Sequence, residues 1–303
     1  MTVKTAPEIP LPAILRAHAA WLDDQSAGMQ ADLAGLTIND ADLQGAILRK
    51  AILEGATLLD ANLAESDLSE SRLDRADLQR ANLSHADLSG ATLDETVLAG
   101  AWLTAANLSE VKLDGTVLRA VRMAKARMID ADVRDSIFAG SNVSAVSFHQ
   151  SRFYDADFSD CALEEAVFLR TRLQHVRFVG ISGSSLSFES SKIDHCDFTR
   201  AALPGAKFSR TELIQCPFRN ANLRDADFRD SIIRGGDFNR AVFAGAQFRG
   251  AKFVMADFRG ADLSAAQGLT QEQLLQTLTD ASTVLPNGKR GPYLKNSGAE
   301  KSR

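Results

Sequence analysis

The chain has 303 residues, a formal net charge of −5 and a mean hydropathy of −0.12. Length alone suggests about two domains. Three cysteines, no long apolar run and no signal-like apolar segment exclude a disulfide-built fold and predict a soluble, cytoplasmic chain without a membrane anchor. The acidic balance, with two Tyr and two Trp, argues against direct binding to nucleic acid.

Residues 11–24 (LPAILRAHAAWLDD) predict a first helix, with Ile14, Leu15, Ala19 and Leu22 on one side. From Ala31 the chain changes character. Ala31-Asp32-Leu33, Ala41-Asp42-Leu43, Ala61-Asn62-Leu63 and Ala76-Asp77-Leu78 share one five-residue register with Ala156-Asp157-Phe158, Ala226-Asp227-Phe228 and Ala261-Asp262-Leu263. Every fifth residue from Leu33 to Leu263, 47 in all, is Leu, Phe, Ile, Met or Val, except Gly183. Two residues before each such centre the side chain is small, with Leu36, Ile181 and Leu186 as the large exceptions. Asp or Asn often precedes the centre, and Gly is frequent two residues after it.

A period of five suits neither standard element. On a helix the centres spread around the cylinder, and on a flat strand they alternate between faces. One interior collects them all only if the chain turns once per pentad, for which Asp, Asn and Gly are suited. The pattern A-(D/N)-(L/F)-x-x over Ala31 to Ala265 resembles the pentapeptide-repeat family. That resemblance implies an all-β solenoid, a right-handed quadrilateral β-helix with four pentads per coil. At about 4.8 Å per coil it predicts about twelve coils and a rod of roughly 55 Å.

From position 138 to 258 every tenth residue is Phe: Phe138, Phe148, Phe158, Phe168, Phe178, Phe188, Phe198, Phe208, Phe218, Phe228, Phe238, Phe248 and Phe258. A ten-residue alternation needs an even number of sides. With four, Phe lines two opposite walls and smaller groups fill the other two. The tract Ile181-Ser182-Gly183-Ser184-Ser185-Leu186 breaks the residue rule without breaking the register. Either Ile181 and Leu186 refill the gap at Gly183 through a bulge or bend, or that coil is slightly looser.

Beyond the repeat, Thr270-Gln271-Glu272-Gln273 has the form of a capping box, predicting a helix to about Thr279 with Leu274, Leu275 and Leu278 on one face. The expected organisation is 1–30 an N-terminal segment with a capping helix, 31–265 the repeat, 266–294 a C-terminal capping helix and turn, and 295–303 a disordered tail. The C-terminal helix could serve instead as a homodimer face.

No catalytic, cofactor or metal motif stands out. Cys161, Cys196 and Cys216 occupy small positions, where packing explains them. A twenty-residue coil stacks His175 and His195 above Asp155, either a solvated column or a metal ladder; His18, His85 and His149 have no obvious partners. The same period aligns Arg152, Arg172 and Lys192. Arg224, Arg229 and Arg234 follow successive centres. Residues 31–132 hold 10 basic and 17 acidic side chains (net −7), and 133–263 hold 17 and 16 (net +1). The surface is therefore either ordinary and solvated or that of a bipolar binding rod. The expected function is a non-enzymatic scaffold or protein-interaction module, with another protein as partner. The resemblance also implies an alternative, a DNA-mimic protector of DNA gyrase. Ala17-His18-Ala19-Ala20-Trp21-Leu22 is similar to the start of proteobacterial repeat proteins, some linked to secretion systems, which allows a cargo adaptor.

Overall fold

The computed structural model describes residues 10–302. Residues 1–9 of the expected N-terminal segment and residue 303 of the expected tail lie outside them.

Each pentad repeats one local solution. The small residue and the centre are buried, and the three other positions face outward. The fifth residue adopts a left-handed backbone, with φ of 62° at Lys50, 61° at Glu65 and 63° at Lys125. An L-residue there costs roughly 1–2 kcal/mol, which accounts for the frequent Gly and Asp at this position. The centre's carbonyl then accepts the N–H three residues on, as from Leu36 to Leu33 (3.1 Å) and from Ala51 to Leu48 (2.9 Å). Positive φ at the third residue of such a turn is the type II signature.

Four such corners close a turn of the solenoid, because the pairing is parallel and offset by twenty residues. Isolated bridges run from Asp32↔Ile52 to Gln247↔Gln267. The bonds to neighbouring turns are short: Leu33 N–H to Ile52 O at 2.7 Å, Ile52 N–H to Ala31 O at 2.9 Å and Gly35 N–H to Glu54 O at 2.8 Å.

The element order begins with α1 (Leu11–Asp23). One wall then forms an eight-stranded parallel sheet in sequential order: β1 (Lys112–Asp114), β2 (Asp132–Arg134), β3 (Arg152–Tyr154), β4 (Arg172–Gln174), β5 (Lys192–Asp194), β6 (Glu212–Ile214), β7 (Ile232–Arg234) and β8 (Lys252–Val254). The chain ends with β9 (Ala256–Asp257), α2 (Gln271–Leu275) and β10 (Thr277–Leu278). The regular sheet therefore counts eight turns, where the repeat predicted about twelve coils. Elsewhere the turns are joined by single bridges. Some corners after the strands open, and a side chain one turn on takes the free amide. The Thr116 N–H donates to Ser136 Oγ (3.3 Å), and the Val176 N–H to Cys196 Sγ (3.4 Å). At Ser191 the hydroxyl splices into the corner below, accepting from Thr171 N–H (2.9 Å) and donating to Phe168 O (2.5 Å).

From Phe138 to Phe258 two columns of rings fill the interior, whereas from Leu33 to Val133 it is filled mainly by Leu. Phe138 stacks on Phe158 at 4.4 Å and 5°, and Phe198 on Phe218 at 4.5 Å and 2°. Across the interior the columns meet edge to face, as Phe188 does Phe198 at 5.6 Å and 86°. Each buried ring contributes on the order of 1.5–3 kcal/mol, and the edge-to-face contacts suit the ring quadrupole. At Gly183 the pairing register passes through without a bulge, since Gly183 N–H reaches Ala202 O at 2.9 Å. Ile181 and Leu186 are both fully buried, and Leu163 of the preceding turn is what lies closest to Gly183.

At the first turn, α1 is joined through His18, the histidine for which the sequence offered no partner. Its ring is fully buried, accepts Ala31 N–H at Nδ1 (3.0 Å) and donates from Nε2 to Arg49 O (3.0 Å). Leu11, Ile14 and Leu15 pack against the core beside it. At the far end the capping box forms at Thr270 and Gln273, but α2 stops at Leu275 rather than near Thr279. Thr277 and Leu278 leave the helix to pair with Ala256 and Asp257. Leu274 is buried while Leu275 and Leu278 stay exposed, so the three do not share a face. The tail expected to be disordered from 295 folds back instead. Ala299 is buried, and Tyr293 Oη donates to Glu300 at 2.9 Å.

Two outcomes follow. An ideal Cβ at Gly183 lies 3.2 Å from Leu163 O, in space already filled. Gly183→Leu should overpack the turn and cost about 1–3 kcal/mol, read as a lower midpoint in thermal circular dichroism. His18 is held neutral: burial, foremost, lowers its pKa below 6.5, Arg49's charge adds to this, and the bond to the Arg49 carbonyl opposes it. The docking of α1 should therefore be intact above pH 6.5 and weaken as pH falls below it. In a Trp102→Phe background, Trp21 fluorescence should report the release in acid.

Candidate interaction surface

The strands of the eight-stranded wall send their middle residue inward and the two flanking residues outward. Parallel register then stacks the outward residues in columns. Arg152 is paired with Arg172, and Arg172 with Lys192. These three line a shallow depression of about 560 Å³ together with Arg134, Tyr154 and Gln174, with Asp132 and Asp194 at its ends. Tyr154 is 44% exposed, and its ring meets His175 edge-on at 5.8 Å.

The charges on this wall are not equally free. Arg134 is bound by Asp132 at 3.1 Å, and Lys192 lies 3.8 Å from Glu212. Arg152 and Arg172 have no carboxylate within 4.0 Å among the described residues. Nearer the N-terminus the same wall is acidic. Asp94 N–H donates to Asp74 Oδ1 (3.0 Å) and Asp114 N–H to Asp94 Oδ1 (3.1 Å), a carboxylate ladder in which each group holds the next turn's amide. Burial first, then the charge of Asp74, raises the Asp94 carboxyl above its usual range. This ladder, Arg134 and Tyr154 escaped the sequence reading, although the twenty-residue period applied to the position after the centre would have found them.

Arg224, Arg229 and Arg234 are not brought together. They follow the centres of three successive pentads and so stand on three successive sides of one turn. Each is also engaged: Arg224 with Asn222 (3.2 Å), Arg229 with Asp227 (2.7 and 2.9 Å), and Arg234 with Glu212. Burial would raise Asp227, but Arg229's hydrogen bonds outweigh it and hold the carboxyl below the usual range.

His175 and His195 do stack, with ring centroids 5.2 Å apart, but His195 Nδ1 is taken by Asp194 at 2.7 Å. Among the described residues no three His, Cys, Asp or Glu side chains converge as metal ligands. The three cysteines are buried and free. Burial pushes Cys161 and Cys216 up to about 12 and Cys196 well above its ordinary value, which deprives each of thiolate character. No helix among the described residues is long and apolar enough to cross a membrane.

One feature of the sequence decides the kinship. A model of pentapeptide repeats in eight copies matches overlapping segments from 29 to 140 and from 196 to 264, and a model of a pentapeptide repeat region matches 131–208. The chain belongs to the pentapeptide repeat family. Among solved pentapeptide repeat proteins it is similar to HetL, involved in heterocyst differentiation regulation in the cyanobacterium Nostoc sp. strain PCC 7120. The identity is 22%, over 93% of this chain and 100% of that one, with a TM-score of 0.44. A trypsin-treated form of QnrB1, a plasmid-mediated fluoroquinolone resistance protein, is 13% identical over 72% of this chain and 91% of its own, with a TM-score of 0.39. A mannuronic acid specific polysaccharide lyase from human gut microbiota is 10% identical over 96% and 89%, with a TM-score of 0.42. No curated protein sequence matches this pentapeptide repeat chain.

In the native protein, thiol titration with a disulfide reagent should find none of the three cysteines within minutes and all three after denaturation. Rapid reaction of even one native thiol would contradict the burial described.

Proposed function

We propose that the protein is a non-catalytic scaffold that binds a macromolecular partner along its walls. In this reading it is a right-handed rod working in the cytoplasm, with α1 and the C-terminal segment closing its ends. One observation carries it. The interior is filled with side chains from Leu33 to Leu263, so contact with other molecules falls to the outer walls. Those walls repeat at the β-sheet spacing of about 4.8 Å, and stacked repeats of this kind present long surfaces suited to macromolecules.

The charge argues against a DNA mimic acting on gyrase. Duplex DNA 55 Å long carries roughly 32 charges at one per 1.7 Å. The repeat nets −6, from −7 in 31–132 and +1 in 133–263. Its acidic ladder occupies only one end of one wall.

Affinity capture from the native lysate, followed by mass spectrometry, should return one specific protein at stoichiometric yield. The purified protein should show no hydrolase, transferase or redox turnover. Turnover that survives repurification would overturn the scaffold reading. Inhibition or protection of gyrase at micromolar protein, in a supercoiling assay with and without ciprofloxacin, would replace it with the mimic.

A further inference from the structure

The scaffold reading leaves open which wall binds and what it binds. We infer that the depression across β3, β4 and β5 is the docking site for a short acidic segment of a partner protein, held by Arg152, Arg172 and Lys192 with Tyr154 beside them. This rests on the scaffold reading and names its site.

Like charges placed directly opposite in neighbouring strands are destabilising. Arg152, Arg172 and Lys192 are direct ladder partners, and no other column stacks three cations among the described residues. Several wall arginines meet an acid, as Arg80 does Asp60 (2.8 Å) and Arg259 does Asp257 (2.6 Å). Arg152 and Arg172 do not, so their guanidinium forks are available for carboxylates, which they match in geometry. The exposed Tyr154 adds apolar area at the same place, the residue type enriched where interfaces are strongest.

The patch is also short. Three strands span about 10 Å at the sheet spacing. Carboxylates bound it on both sides: Asp114 and Asp132 below, Glu212 above, with Asp194 on β5 itself. A phosphate polymer lying along the wall would meet them within one strand of either end, and nucleic-acid affinity depends on many neutralised phosphates. A short acidic segment fits between them, and its own flanking basic residues would find Asp114 and Glu212.

The test uses the full-length protein and fluorescence anisotropy at low salt. The probes are labelled hexaglutamate and a short DNA duplex. Hexaglutamate should bind, with affinity that falls as salt rises. Arg152→Gln/Arg172→Gln should weaken it about tenfold or more, by loss of charge-assisted contacts. Arg200→Gln/Arg240→Gln, which removes equal charge from a different column, should leave it unchanged. Circular dichroism should show all variants equally folded, since the four side chains lie on the surface. Three results overturn the inference: no binding of hexaglutamate, equal weakening by both double variants, or tighter binding of the duplex that Arg152→Gln/Arg172→Gln abolishes. None of these touches the scaffold reading, which stands or falls on partner capture and turnover.

Discussion

The whole molecule depends on one backbone requirement, a left-handed residue at every fifth position. That single dihedral turns the chain through a corner, and four corners return it above its starting point. Non-glycine residues meet the requirement at most corners, including Arg75, His85 and Met255. Each such residue is disfavoured in isolation. They hold because the surrounding geometry over-determines them. The fifth residue's own N–H is fixed to the next turn, as from Lys50 to Ser69 O at 2.9 Å, while the centre below it is locked in the core. Local strain and long-range pairing are thus set against each other in every pentad, and pairing prevails.

The same requirement shapes the surface. Because each corner takes the same number of residues, outward positions stack without drift. A charge therefore acts as a member of a column more than as a neighbour in sequence. Arg224, Arg229 and Arg234 are five residues apart and stand on different sides, while Arg152 and Arg172 are twenty apart and adjacent. The wall chosen for the regular sheet carries both an acidic and a basic stretch, separated by the Asp132–Arg134 pair. Corners on this wall open after the strands, where side chains such as Ser136 and Cys196 take over from the backbone.

Much of this was legible in the sequence because buried positions are chosen by size and polarity. The centres, the small residues and the alternating Phe all announce an interior, and a period that fits neither helix nor strand forces the chain to coil. The arginine column followed from the same arithmetic. What the sequence hid was decided by contacts between distant residues. His18 reads as an unpartnered histidine until α1 brings it against Arg49 and Ala31. The capping box at Thr270 predicts where α2 starts but not that Ala256 and Asp257 draw Thr277 and Leu278 out of it. The buried Ala299 carries no pattern of its own. Nor does the pentad motif reveal which wall will form continuous strands: Ala156 follows an open corner as Val176 does, while Val146 closes its corner onto Val143.

The offset of twenty residues has a consequence for how such a chain can change in length. Removing or duplicating four successive pentads shortens or lengthens the rod by one storey and leaves every remaining side chain in its own column. Removing a single pentad swings everything beyond the cut by a quarter turn, so that Arg172 would no longer lie over Arg152 and the Phe columns would meet the flanks of the interior. Length is therefore quantised for this protein, and whole storeys are the natural unit in which it could have grown.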